Sequence, residues 1–198
     1  MTQEDFQKHE GAKENTMSLE TLLIIVAVVL FVVVFWAIAT ANRFRVKLVK
    51  IREADSGIDV ALTRRYDLLT KMIESVKGYM QHESELFSKI VKLRTGATSM
   101  SEKSQCNREM NELFQKLNVV VENYPQLKAS ENFQELQRAI ADTEQHLQAA
   151  RRLYNSNVSI YNQAIVVFPA SIVAGKKYTA REFFIADEHK RQDVEIKF

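Results

Sequence analysis

Hydrophobic and polar positions divide the chain into stretches of different character. Residues 1–20 form a polar N-terminal segment without a regular period. From Leu22 to Ala41 the sequence LLIIVAVVLFVVVFWAIATA then runs for twenty residues without a charge. As a helix this run rises about 30 Å, the thickness of a bilayer's hydrocarbon core, and a small domain rarely buries a helix that is apolar all round. A transmembrane helix is therefore expected over 21–41, with Trp36 near one end as an interfacial anchor. The length of the run, and Glu14 and Glu20 ahead of it, argue for an uncleaved anchor over a signal peptide, although Ala37-Ile38-Ala39 and Ala39-Thr40-Ala41 offer small-residue patterns.

Past the run, apolar residues recur every three and four positions. Leu48, Ile51, Ile58, Leu62, Leu69, Met72, Val76, Tyr79, Leu86, Ile90 and Leu93 keep one heptad register, which allows one helix from the membrane to about residue 94. Asp55, Arg65 and Glu83 interrupt this seam. Either they pair across a core and set helix alignment, or they mark points where the stripe is exposed; the second reading is preferred. TGATSM (95–100) predicts a turn, with Ser99 or Ser101 able to cap the next helix.

Met110, Leu113, Leu117, Val120 and Tyr124 predict a second helix over about 102–123, and Phe133, Leu136, Ile140, Leu147, Tyr154, Tyr161, Ala164 and Phe168 a third over 131–167. The chain's only prolines, Pro125 and Pro169, stand just outside the ends of that third helix. Between the helices, VENYPQLKASENF (121–133) reads as a connection: Pro125 stops one helix, Ser130 can cap the next, Glu131 suits its first turn and Phe133 restarts the seam. Residues 169–198 lose the pattern and predict a mostly irregular tail that docks on the bundle, ending in VEIKF as a fraying terminus. The fold class is thus all-α, an N-terminal transmembrane helix followed by a long antiparallel bundle of three or four helices over 42–168.

Charge changes the picture locally. A net +2, from 27 Lys and Arg against 25 Asp and Glu, gives no footprint for nucleic acid. Arg43, Arg45, Lys47, Lys50 and Arg52 nevertheless form a basic collar after the apolar run, against Lys8 and Lys13 before it. The positive-inside bias puts the N-terminus outside and the C-terminal domain at the cytoplasmic face of the cell (inner) membrane. The collar suits anionic headgroups of the lipid bilayer, at about 1 kcal/mol for each charge near the surface.

Candidate chemistry is sparse. Cys106 is the single cysteine, which excludes an intramolecular disulfide and a multi-cysteine zinc site, and its polar neighbours suggest a surface thiol. The histidines are His9, His82, His146 and His189; His82-Glu83 opens an H-E-x-x-H pattern whose second histidine is missing, and no Glu-x-x-His occurs. Glycine-rich phosphate loops and G-x-S-x-G are absent from the sequence. No catalytic, cofactor-binding or metal-binding residue is assigned and an enzyme is not expected; His82 and Glu83 would be the first suspects for a metal-dependent activity. Polar groups remain that turns and seams do not explain. Tyr154-Asn155 and Tyr161-Asn162 recur at seven residues on one face of the last helix, either as an internal polar layer or as a partner interface. Glu122, Asn123, Tyr124 and Lys128 around the connection are candidates for contact with another subunit.

RRYDLLTKMIESVKGYMQHE (64–83), VENYPQLKASENF (121–133) and ARRLYNSNVSIYN (150–162), in this order behind one apolar run, resemble the LemA family of bacterial membrane proteins. The resemblance implies a single-pass protein with a long helical bundle and a loose association with membrane organisation, since one relative acts in forming magnetosome membranes. It implies no catalytic residues. Family members usually have a proline where this chain has Thr70 or Lys71, so a helix break near Asp67 is optional here. The expected function is a membrane-anchored helical scaffold that forms a homo-oligomer or recruits an unknown protein partner. The alternative is an extracytoplasmic helical module assisting envelope protein quality control.

Overall fold

The computed structural model describes residues 3–77 and 98–185. Among these residues the chain is all-α, as the periodicity predicts. Helix α1 spans Gln3–Lys77, α2 Met100–Glu122, α3 Pro125–Lys128, α4 Glu131–Val166 and α5 Ala170–Ala174. The seam positions Tyr79, Leu86, Ile90 and Leu93, together with His82, Glu83, His189 and VEIKF, lie outside the described residues.

α1 passes through Thr70 and Lys71 without a break. The Thr70 hydroxyl donates to the Tyr66 carbonyl at 2.9 Å and the Ser75 hydroxyl to the Lys71 carbonyl at 2.9 Å, so these side chains fold back on a continuing helix. With no proline between residues 3 and 77, no position in this stretch lacks the N–H that the ladder needs. α2 starts on a capping box: Ser99 Oγ accepts from the Glu102 N–H at 3.1 Å while Glu102 Oε2 accepts from the Ser99 N–H at 3.0 Å. Of the two candidate caps, Ser99 fills the role. The Ser99 N–H first, then the Thr98 N–H and hydroxyl, donate to the Glu102 carboxylate and hold it below its usual range.

The chain groups into two compact units, one of Met1–Val46 with Ala164–Thr179, the other of Lys47–Gln163 with Ala180–Phe198. In the second, the core joins Leu69, Met72, Ile73 and Val76 of α1 to Met110, Leu113, Leu117 and Val121 of α2, Leu127 of α3, and Phe133 and Ile140 of α4. Each such side chain removed from water contributes about 1.5–3 kcal/mol before entropy is counted. Contacts along the helices fix their directions. Lys50 meets Asn157, a methyl group on Gly57 would stand 3.8 Å from the Ala150 Cβ, and Arg65 meets Glu144, so α4 runs antiparallel to α1. Lys103 meets Asp55 and Asp59, and Arg65 meets Asn107 and Asn111, so α2 runs parallel to α1 within this unit.

The connection 121–133 is more structured than a plain turn. Val121 is buried at the end of α2, Pro125 opens the single turn of α3 at a position where its missing N–H costs nothing, and Leu127 is buried from that turn. The Ser130 hydroxyl, which by sequence suits a cap for α4, donates instead to the Leu127 carbonyl at 2.8 Å and ties α3 down. In the first unit Phe44 of α1 and Tyr178 pack their rings with centroids 5.0 Å apart, and the Phe168–Pro169 bond is cis.

Candidate functional site

Two polar constructions stand out in the second unit, and the sequence pattern points to only one of them. The first lies on the seam itself. Arg65 is buried, and its Nη1 donates to Asn107 Oδ1 and to Glu144 Oε2, each at 2.6 Å, while Nη2 donates to Asn111 Oδ1. The expectation that the stripe is exposed at Arg65 is therefore corrected. A guanidinium presents its donors in a planar fork, so one side chain reaches acceptors on two other helices at once.

One turn lower a second cation is held, this time carried by α2 with its carboxylates on α1. Lys103, also buried, reaches Asp55 Oδ1 and Asp59 Oδ1 at 2.6 Å each. Burial pulls the Lys103 ammonium down, but the hydrogen bonds and charges of Asp55 and Asp59 outweigh it and hold the group above its usual value. Asp55 thus interrupts the seam as a paired ion at its edge. Lys103 and Asn107 do not stand out in the sequence, yet a signal exists: they continue the three-and-four spacing backward from Met110. That spacing marks them as seam positions in need of partners, without saying which partners.

The second construction is built on the repeated Tyr-Asn pairs. Asn155 Nδ2 donates to the Phe184 carbonyl at 3.0 Å and Asn155 Oδ1 accepts from the Phe184 N–H at 2.8 Å. Asn162 repeats the exchange with Arg181, at 2.9 and 2.8 Å. The Tyr154 hydroxyl donates to the Glu182 carbonyl at 3.0 Å, and Arg151 lies 4.8 Å from the centre of the buried Phe184 ring. Burial first, and the Asp55 charge second, raise the Tyr154 phenol, which keeps it a donor. An asparagine amide sets an N–H donor beside a carbonyl acceptor as a peptide group does, so α4 grips the backbone of residues 181–184 through paired hydrogen bonds. The face carrying Tyr154, Asn155 and Asn162 is occupied by this chain's own residues 181–184, while Tyr161 is buried below it.

Replacing both Asn155 and Asn162 with alanine removes four hydrogen bonds, each contributing about 1 kcal/mol net. Exchange of the Arg181 and Phe184 amides, followed by mass spectrometry after peptide digestion, is expected to accelerate by about tenfold or more. Unchanged protection would show that Phe184 burial alone holds the segment.

The remaining sequence-derived residues fall elsewhere. Glu122, Asn123 and Lys128 are exposed around α3, with Tyr124 half-buried beside the core. Arg43, Arg45, Lys50 and Arg52 are exposed, and Lys47 and Trp36 are half-covered. Cys106 is half-buried; burial, then the Glu109 charge, push its thiol up against the opposing pull of Arg65, which disfavours the thiolate. Among the described residues no group of three or more His, Cys, Asp or Glu side chains is placed to hold a metal.

These features define a class: an all-α protein whose N-terminal apolar helix, long enough for a membrane anchor, leads into a bundle with charged cross-links in its core. The LemA family model matches residues 54–198. A curated relative, Protein LemA of Metamycoplasma hominis, is 31% identical over 152 residues, covering 74% of this chain and 69% of the relative. The chain belongs to the LemA family. The positions that carry the resemblance include Arg65, Pro125, Phe133, Tyr154, Asn155 and Asn162, which in the structure are the guanidinium fork, the α3 connection and the clamp on 181–184.

Proposed function

We propose that this LemA-family protein is a membrane-anchored helical scaffold, which acts by binding and not by catalysis, and whose bundle self-associates or recruits a partner at the cytoplasmic face. The observation that carries the anchor is exposure: every residue from Leu19 to Phe35 is exposed, although the stretch from Leu22 is wholly apolar. In water such a helix has no stable setting, whereas in hydrocarbon it satisfies its own backbone and needs no protein cover. The collar of Arg43, Arg45, Lys47, Lys50 and Arg52 supports the inward orientation.

For self-association the support is apolar surface left on the bundle helices. Val49 and Val60 of α1, and Leu153 and Ile160 of α4, are exposed at helical spacings. A second copy of the chain offers the same surfaces, as a two-fold interface requires.

Two readouts on the full chain test the proposal together. Light scattering in mild detergent is expected to give a protein mass of two or more chains, and protease added outside intact cells is expected to leave residues 175–185 uncut. A monodisperse monomer removes self-association. Cleavage from outside reverses the orientation and favours an extracytoplasmic role.

A further inference from the structure

α4 ends in an apolar tip that its own fold leaves uncovered. Val166 is 70%, Val167 57% and Phe168 76% exposed, and Ile172 of α5 is 70% exposed. Phe168 is the last position of the α4 seam, so the sequence pattern would put it in the core; the structure puts it outside. Four large apolar side chains within seven residues form a patch of the kind a soluble surface avoids.

The surroundings of this tip are set by the unit to which it belongs. Residues 164–179 form one compact unit with α1 up to Val46, the part that contains the apolar run. Within that unit Tyr178 packs its ring at a tilt against Phe44, just beyond the run, and Ala174 and Ile165 are buried. Cover on α1 begins inside the run itself: residues 19–35 are exposed, Trp36, Ala37 and Ala39 are half-covered, and Thr40 and Phe44 are buried. The segment therefore stands beside the last turns of a helix read as crossing the membrane, at the level of its apolar residues. Lys176 and Lys177 follow Ile172 by four and five residues and are exposed, as are Arg43 and Arg45 on α1.

Resting on the anchor reading above, we infer that residues 166–172 form a second membrane contact, a lobe that dips into the interfacial layer of the bilayer spanned by α1. Val166, Val167, Phe168 and Ile172 enter the acyl boundary while Lys176 and Lys177 meet anionic headgroups. Apolar insertion flanked by basic residues is the arrangement by which monotopic segments hold an interface, to a depth of about 5–10 Å. Its consequence is a two-point attachment. A single helix can rotate about its axis and tilt, whereas a helix with a lobe at its base has a fixed rotation relative to the membrane plane.

The test places a nitroxide at one site at a time in a Cys106→Ser background of the full chain, in vesicles of phosphatidylcholine with a minority of phosphatidylglycerol. The sites are Phe168→Cys, Val33→Cys in the middle of the apolar run and Glu112→Cys on an exposed face of α2. Collisions with dissolved oxygen, which concentrates in lipid, are compared with those of a water-soluble nickel complex. The oxygen-to-nickel ratio at Phe168→Cys is expected to exceed that at Glu112→Cys several-fold, in the direction of Val33→Cys. A lipid-like Val33→Cys with a Phe168→Cys that matches Glu112→Cys overturns the lobe and leaves the anchor standing. Shielding of Phe168→Cys from both reagents also overturns it, since protein would then cover the tip. A Val33→Cys that matches Glu112→Cys removes the anchor reading and the lobe with it.

Discussion

Replacing Arg65 with methionine is expected to lower the unfolding free energy by about 3 kcal/mol, because it leaves Glu144 and the buried Asn107 without the charge that satisfies them. The lower end of the range for broken buried pairs applies, since the Glu144 side chain keeps 27% of its exposure. Denaturant unfolding of the full chain in mild detergent, followed by circular dichroism, measures it. Arg65→Lys should recover only part of the loss: an ammonium is a compact point charge and cannot span acceptors on two helices as the guanidinium fork does. Arg65→Met combined with Glu144→Leu should recover more, because a charge removed with its partner leaves less unpaired. Equal stability of Arg65→Met and the parent would show that the fork contributes nothing net.

Phe133→Ala is expected to cost about 3–5 kcal/mol by the same measurement. The ring is fully buried in the first turn of α4 and shares its core with Leu117, Val121 and Leu127. Alanine at that position leaves a cavity where α2, α3 and α4 meet, which local collapse fills only in part. Glu122→Ala, Asn123→Ala and Lys128→Ala in the same connection should each stay within about 0.5 kcal/mol, since all three side chains are exposed. That contrast separates two roles within VENYPQLKASENF, the apolar positions building the turn and the polar ones left over for contact. Large losses at the polar positions would reverse the assignment.

Much of the fold is legible in the residues. The three-and-four spacing of Met110, Leu113 and Leu117, and of Phe133, Ile140 and Leu147, predicts helices whose buried faces carry those side chains, because a period near 3.6 leaves one face for the core. The ends are legible where chemistry is local: Ser99 three residues before Glu102 satisfies amides at a helix start, and Pro125 cannot continue a helix behind it. Three points are not. Arg65 looks like a gap in the seam, since periodicity carries no information about which residue on another helix meets it. Ser130 fits a cap by sequence, yet its hydroxyl turns to Leu127 once α3 forms. Phe168 continues the α4 seam in register, but the helix closes at Val166 and the ring falls outside.

The helices, the apolar run and the basic collar are thus properties of the chain alone, since they rest on backbone propensity, side-chain period and charge counted along one strand of residues. The pairing of polar residues is a property of the folded bundle. Asp55 with Lys103, Arg65 with Glu144, and Asn155 with Phe184 lie 48, 79 and 29 residues apart. Contacts at such separations depend on the directions and rotations of whole helices, and many pairings share one pattern of polar positions. Burial selects among them, because in a core each charge and amide must find a partner, and the packing of α1, α2 and α4 offers Arg65 and Lys103 these acceptors.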